Sequence, residues 1–248
     1  MLREEEDYVV IDKPGGVPTV PTVDNLYENC LHMTGRAIEA RGPLRVTHRL
    51  DQPTSGVLVL AKTKAFCSHF NQLLSERGEG EDPRVTKVYR VLTERAVPRG
   101  VLSESGGALT HYAEIGVRSK GRPTRTVVHD RADGPGGNGK RVVCKLRVLR
   151  CDGVAGTGMY ESEVVLLTGR THQIRAQFAH IGCPVAGDPI YNGGSGEAEE
   201  EEVRVAPERI GLRAARVTVR DDSGAGFFPR SEGVVFEVKS CDWGWWGE

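Results

Sequence analysis

Residues 57–61, Val-Leu-Val-Leu-Ala, form an uninterrupted apolar run that predicts a strand buried on both faces. Other short or alternating β-rich runs recur along the chain, whereas only three stretches have helical spacing. The predicted strands cover residues 8–11, 57–61, 87–92, 141–149, 160–167, 212–220 and 234–239, with hairpins over 106–130. The predicted helices cover 25–40, 63–74 and 171–181. Many neighbouring strands with few helices favour an α+β fold around a mixed, mostly antiparallel central sheet with flanking helices.

The 248 residues lack an apolar run of the roughly 18 residues that a membrane-spanning helix needs. The first residues are acidic, without the apolar segment of a secretory signal, so we expect a cytoplasmic protein. A mitochondrial or chloroplast location stays open if a transit peptide has been removed. We expect a single domain over 1–248, a mobile acidic Gly/Glu-rich loop over 193–209, and a Trp-rich tail over 240–248. That tail either folds onto the core or stacks on bases.

The six cysteines are scattered, without a Cys-x-x-Cys pair or a histidine at zinc-finger spacing. We therefore expect reduced thiols and no metal site. Residues 134–140 match the first part of a phosphate-binding loop, but Arg141 follows where Ser or Thr should hold magnesium. A hairpin tip explains this glycine-rich stretch better than a nucleotide site.

The formal net charge of −1 conceals a strongly basic middle segment. Residues 84–150 carry 15 basic and 5 acidic side chains, a net charge of +10, between acidic flanks. Such a segment favours binding of a polyanion such as RNA, and a solvated basic face without a partner is the alternative.

Two polar clusters are candidate sites. Residues 48–56 place Asp51 in a loop before the apolar run, where a carboxylate serves as a nucleophile or a base, or else caps a turn and pairs with Arg49. Residues 168–175 lie at a predicted strand-to-helix turn, with Thr171 as the expected N-cap. Arg170 and Arg175 add positive charge there, so the cluster either docks a carboxylate such as Asp51 or is an ordinary helix cap with surface arginines.

The clusters together resemble the RluA-type pseudouridine synthase family. The resemblance rests on His-Arg-Leu-Asp-x-x-Thr-Ser-Gly at 48–56, Asp-Lys-Pro-x-Gly at 12–16, Lys-x-Tyr at 87–89 and Gly-Arg-Thr-His-Gln-Ile-Arg at 169–175. A further block, Gly-x-Pro-x-x-Gly-Asp-x-x-Tyr, follows at 182–191, and the order and approximate spacing match over roughly 8–239. Two features depart from the family pattern: no S4-type RNA-binding domain precedes the motifs, and Arg213 stands where a histidine is usual.

The resemblance implies a pseudouridine synthase catalytic fold with a central catalytic cleft, and conversion of uridine to pseudouridine in RNA without cofactor or metal. It implies that the target nucleotide is flipped out of its stack. We expect a monomer whose partner is RNA, ribosomal or transfer RNA first, with messenger RNA left open. The implied catalytic residues are Asp51, Tyr89 and Arg175, and the implied substrate-binding residues are Arg49, Ile174, Thr54 and His48. From the basic segment we expect RNA-backbone contacts from Arg118, Lys120, Arg122 and Arg125. An RNA-binding module without catalysis is the alternative function.

Overall fold

The computed structural model describes residues 1–23, 25–76, 83–102, 107–117, 125–132, 141–192, 209–229 and 233–238. Its contacts divide the chain into two compact units. The first unit comprises residues 1–88 and 213–242, and the second comprises 89–212 and 243–248. No helix within the described ranges is long and apolar enough to cross a membrane.

The first unit is organised around the predicted apolar strand. Its strands are β1 (Arg3–Glu4), β2 (Tyr8–Lys13), β3 (Arg45–Val46), β4 (Ser55–Ala61), the first part of β5 (Val85–Thr93), most of β10 (Leu212–Val219) and β11 (Val234–Glu237). Strand β4 pairs antiparallel with β2 and β3 and parallel with β10. Strands β1 and β11 extend β2 and β10 in antiparallel register. The parallel β4–β10 pair makes this sheet mixed.

An apolar core fixes β4 in the first unit. The residues from Val57 to Ala61 are fully buried, and helix α2 (Lys64–Ser75) contributes Phe66 and Phe70 to the same core. The Tyr8 ring stacks on Phe66 at 4.6 Å between centroids. Burial of one such side chain stabilises a fold by roughly 1.5–3 kcal/mol, so the end of the loop that precedes β4 rests on a rigid base.

The second unit holds the rest of β5 and four antiparallel partners. These are β6 (Leu109–Val117), β7 (Arg125–His129), β8 (Val142–Gly153) and β9 (Tyr160–Leu166). Strand β6 pairs with both β7 and β8, and β8 pairs with β9. A 3-10 turn (Arg99–Val101) and helix α3 (Gln173–His180) complete the described elements.

Two helix starts differ from the sequence-based expectation. Helix α1 (Cys30–Ala37) begins five residues after Asn25, because the Asn25 side chain accepts the Glu28 N–H at 2.7 Å in a local turn. Asn29 caps the helix by accepting the His32 N–H at 3.1 Å. Helix α3 begins at Gln173, and the expectation that Thr171 is its N-cap is wrong. The N-cap position is His172, whose backbone is left-handed (φ 53°) and whose side chain makes no capping bond.

Eleven strands and three α-helices within the described residues confirm the α+β, mostly antiparallel prediction. The single catalytic domain and its central cleft stay predictions. The glycine-rich stretch at 134–140 and the Trp-rich tail lie outside the described residues, as does the acidic loop except for Arg209.

Candidate active site

The carboxylate of Asp51 is carried by the loop between β3 and β4, and the residue is half-buried. The Thr54 N–H donates to the Asp51 carbonyl at 3.1 Å, which closes a turn directly before β4. Pro53 and Thr54 are buried, whereas the guanidinium-bearing Arg49 is exposed. The loop therefore carries a partly buried Asp51 and an exposed Arg49 next to a fixed end.

The segment after β2 holds this loop through its backbone. Thr19 Oγ1 donates to the Leu50 carbonyl at 2.8 Å and accepts the Leu50 N–H at 3.2 Å. The Gly16 N–H donates to the Gln52 carbonyl at 3.0 Å, and Gln52 Nε2 donates to the Gly16 carbonyl at 2.9 Å. The residues on both sides of Asp51 are thus fixed by reciprocal hydrogen bonds, which is the local preorganisation that a reacting side chain needs.

Lys13 is a fully buried cation in the same unit. Its Nζ donates to the carbonyls of Pro14 and Gln52 at 2.8 and 2.9 Å. Burial lowers the pKa of Lys13 to about 8, although its interactions with Cys30 and Asp51 act to raise it. Lys13 therefore supplies a positive potential at the Asp51 loop. The sequence motifs placed Lys13 in a family pattern but indicated no role for it.

His48 is buried and neutral. Burial, together with the nearby Lys87 cation, lowers the pKa of His48 well below its usual value. Its Nε2 accepts the Val59 N–H at 3.2 Å, so the proton of the neutral ring is on Nδ1. Within the described residues neither His48 Nδ1 nor the Thr54 hydroxyl has a hydrogen-bond partner, and both atoms are buried. Such atoms normally find a protein, water or ligand partner.

Gly56 explains why the motif ends in glycine. Its φ is +113°, and a Cβ built there would lie 2.1 Å from the carbonyl oxygen of Ala214 in the parallel partner strand. Next to this contact, Arg213 donates to Asp12 Oδ2 at 2.7 Å and to Ser55 Oγ at 3.4 Å. Arg213, the residue that departs from the family pattern, therefore links the segment before Lys13 to the start of β4.

The second unit contains a buried ion pair. Arg175, in the first turn of α3, donates from Nε and Nη2 to the two carboxylate oxygens of Asp188 at 2.6 and 2.9 Å, and both side chains are almost fully buried. The ring of Tyr191 lies 5.3 Å from the guanidinium carbon. Asp188 and Tyr191 belong to a motif found in the sequence, but the sequence indicated no role for either residue. The expected pairing of Arg175 with Asp51 stays a prediction.

The Tyr191 hydroxyl explains the left-handed start of α3. It accepts the Thr126 N–H at 2.8 Å and lies 3.2 Å from His172 Nδ1, while Thr126 Oγ1 donates to the Thr171 carbonyl at 2.8 Å. Burial raises the pKa of Tyr191, so the phenol stays protonated. These tertiary hydrogen bonds hold the Thr171 backbone carbonyl and the His172 ring at the start of α3.

The remaining predicted site residues are partly accounted for. Tyr89 in β5 and Ile174 in α3 are buried in the second unit. Arg125 begins β7 half-buried, with no described partner for its Nε. The other three predicted RNA-backbone residues, Arg118, Lys120 and Arg122, lie outside the described residues.

Comparison with known proteins places the two polar clusters, 48–56 and 168–175, in one match. The sequence model of the family described as RNA pseudouridylate synthase matches residues 7–180. RNA pseudouridine synthase 6, chloroplastic, of Arabidopsis thaliana is 34% identical over 205 residues, which are 75% of this chain and 39% of the relative. Ribosomal large subunit pseudouridine synthase D of Pseudomonas aeruginosa is 34% identical over 198 residues, 78% of this chain and 53% of the relative. The chain thus spans about two fifths of the plant relative and about half of the bacterial one.

The fold comparison agrees with the sequence comparison. The solved structure of human RNA Pseudouridylate Synthase Domain Containing 1 aligns with a TM-score of 0.61 at 27% identity, over 96% of this chain and 82% of the human one.

Proposed function

Because the chain belongs to the RNA pseudouridylate synthase family, we propose that it isomerises specific uridines in RNA to pseudouridine, with Asp51 as the reacting carboxylate. The observation that carries this proposal is the Asp51 loop. Its backbone is fixed on both sides by Thr19, Gly16 and Lys13, and it leads into a buried strand, yet Asp51 itself is only partly buried. A rigid loop with an accessible carboxylate suits a group that must meet a substrate atom at a fixed distance.

The proposed reaction needs no external reagent. Asp51 either attacks the nucleotide covalently or removes a proton from the sugar, and the N1–C1′ bond then breaks. The detached uracil rotates and a C5–C1′ bond forms, as Asp51 is released or returns the sugar proton. The hydrogen on C5 leaves as a proton to water, and N1 takes up a proton from water. Atoms and electrons balance within the nucleotide, and a dry pocket protects the cleaved sugar from water.

Arg175 is proposed to keep Asp51 ionised, as the family resemblance implies. A guanidinium lowers the free energy of a nearby carboxylate anion in a poorly solvated site. The bidentate bond to Asp188 supports this role, because it fixes the Arg175 side chain in one orientation.

Five residues are proposed to handle the base. The target uridine leaves its stack, Arg49 fills the vacated place, and Tyr89 stacks on the uracil above Ile174. The unpartnered Nδ1–H of His48 and hydroxyl of Thr54 support their assignment to substrate binding, directly or through an ordered water.

The proposed substrate is ribosomal or transfer RNA, bound by a monomer. The net charge of +10 over residues 84–150 supports a polyanionic partner, with Arg118, Lys120, Arg122 and Arg125 on the phosphate backbone. The plant relatives are named chloroplastic, which supports the organellar alternative of the two expected locations.

Tritium release tests the proposal directly. The full chain is incubated with ribosomal and transfer RNA transcripts of its own source, labelled with tritium at uridine C5, and tritiated water is counted. We expect release by the wild type and a loss of about 10³-fold or more in Asp51→Asn, as for removal of a catalytic nucleophile elsewhere. Asp152→Asn, an exposed carboxylate on β8, is the matched control and should release tritium normally. Wild-type protein that binds these RNAs without releasing tritium would instead be a binding module.

A further inference from the structure

Three side chains outside the proposed active site converge in the second unit. His111 belongs to β6, Asp130 directly follows β7, and His180 ends α3. Their separations of 19 and 50 residues match no metal-binding motif, which is why sequence reasoning expected no metal site. The fold alone brings them together.

The distances within this cluster suit a small cation. His180 Nε2 lies 2.7 Å and His111 Nε2 lies 3.7 Å from Asp130 Oδ1, and the three ligand atoms all lie within 4.8 Å of one another. Tetrahedral zinc bonds of about 2.0–2.1 Å separate neighbouring ligand atoms by about 3.4 Å. Small side-chain rotations therefore suffice to place all three atoms around one ion.

The exposure of the cluster also suits a cation. Asp130 is 78% exposed, which leaves one side of the cluster open to water as a further ligand.

We propose that His111, Asp130 and His180 bind a divalent transition metal ion of the Zn²⁺ type, which joins β6, the end of β7 and α3. Two imidazoles and a carboxylate are ligands that Zn²⁺ accepts readily, with water completing the shell. The metal acts as a staple of the second unit and takes no part in the proposed isomerisation.

Gln177 sets the affinity of this site. Its Nε2 lies 3.1 Å from His111 Nδ1, and its Oε1 accepts a hydrogen bond from Gln173 Nε2 at 2.9 Å. Ligation through His111 Nε2 moves the ring proton to Nδ1, which then needs an acceptor. Rotation of the Gln177 amide supplies that acceptor but breaks the bond from Gln173. A glutamate at 177 offers an oxygen to each neighbour and should tighten the site.

Metal titration of the full chain tests the proposal. The protein is stripped with EDTA and dialysed against ZnCl₂, and bound zinc is counted. We expect one zinc ion per chain, with affinity about tenfold or more weaker in His180→Gln and in Asp130→Asn. His129→Gln is the matched control and should leave zinc binding unchanged, because His129 lies on the same pair of strands but forms a separate histidine–carboxylate pair with Glu114 at 3.6 Å. Circular dichroism without metal confirms that each variant is folded.

A second variant and a second metal keep the proposal falsifiable. Gln177→Glu should bind zinc about tenfold more tightly, and weaker binding would exclude ligation through His111 Nε2. The visible spectrum of the Co²⁺ protein should show nitrogen and oxygen ligation. Each of three results would overturn the proposed site and leave an ordinary ion pair. These are a sulfur-to-cobalt charge-transfer band, equal zinc binding by all variants, and no zinc binding by the wild type. These readouts do not depend on pseudouridine formation.

Discussion

Arg175 and Asp188 form a buried bidentate ion pair, with Nε–Oδ2 and Nη2–Oδ1 distances of 2.6 and 2.9 Å. Asp188 Oδ1 also accepts the backbone N–H groups of Ile190 and Tyr191 at 3.0 and 3.3 Å. One carboxylate therefore fixes both the guanidinium of α3 and the loop that carries the Tyr191 ring against it. Both residues of the pair belong to the second unit.

Replacing Asp188 by alanine should be strongly destabilising. The change removes the carboxylate that accepts both Nε and Nη2 of the buried Arg175 side chain, and loss of one partner of a buried pair typically costs about 3–5 kcal/mol. Urea denaturation of the wild type and the variant measures this difference in the free energy of unfolding. The matched control is Asp152→Ala, which removes the exposed pair with Arg150 and should cost at most about 1 kcal/mol. Equal effects of the two substitutions would contradict the importance of the buried pair.

Gly56→Ala should disrupt the contact between β4 and β10. The new Cβ would lie 2.1 Å from the Ala214 carbonyl oxygen, which is backbone and has little freedom to move, and φ of +113° adds strain. We expect a loss of several kcal/mol, or insoluble protein, measured by thermal unfolding and by soluble yield. Gly42→Ala is the control, because a Cβ at Gly42 meets nothing within 4 Å. If the Gly56→Ala protein unfolded at the same temperature as Gly42→Ala, β4 and β10 would tolerate separation and the prediction would be wrong.

Lys13 should make a contribution to the free energy of unfolding that rises with pH above about 8. Its folded-state pKa is about 8, whereas an unfolded lysine titrates near 10.4. Between these values the unfolded chain binds more protons, so the free energy of unfolding rises with pH by at most about 1.4 kcal/mol per pH unit for this group. Below pH 8 Lys13 is protonated in both the folded and the unfolded state, so the free-energy cost of burying its charge is fully present.

Lys13→Met should flatten this pH dependence, measured by urea denaturation from pH 7 to 10. Its absolute stability also changes, because the bonds to Pro14 and Gln52 are lost, so the slope is the readout. Lys64→Met removes an exposed lysine of α2 and should retain the wild-type slope. An unchanged slope in Lys13→Met would contradict the cost assigned to this buried ammonium.

The elements that sequence predicts well are those whose local pattern and burial agree. Strand β4 extends the five-residue apolar run by two residues, because nothing but a buried strand satisfies that run. The first residue of a helix is harder to predict, because the polar residues near it have more than one possible hydrogen-bond partner. Asn25 forms a turn rather than a cap, and the Thr171 carbonyl bonds to Thr126, 45 residues earlier in the chain.

The candidate site likewise combines residues that the sequence predicts with contacts that it does not. Motif letters locate Asp51 and Arg175, but they do not reveal that Lys13 is buried beneath the Asp51 loop or that Asp188 pairs with Arg175. Both facts depend on backbone geometry between segments far apart in sequence. The His111 and His180 cluster is the extreme case, because no local pattern connects its members.

Reversing the charge of Arg118, Lys120, Arg122 and Arg125 to glutamate should weaken RNA binding and reduce its salt dependence. Each phosphate contact with single-stranded nucleic acid contributes about 0.7 to the slope of log K against log salt, so loss of several contacts is measurable. Filter binding from low to moderate salt provides both quantities. The matched control reverses four exposed basic residues outside segment 84–150, namely Arg41, Lys64, Arg209 and Arg220. Because both variants change the net charge by −8, a similar loss in the two would mean that overall charge, rather than a defined basic surface, attracts RNA.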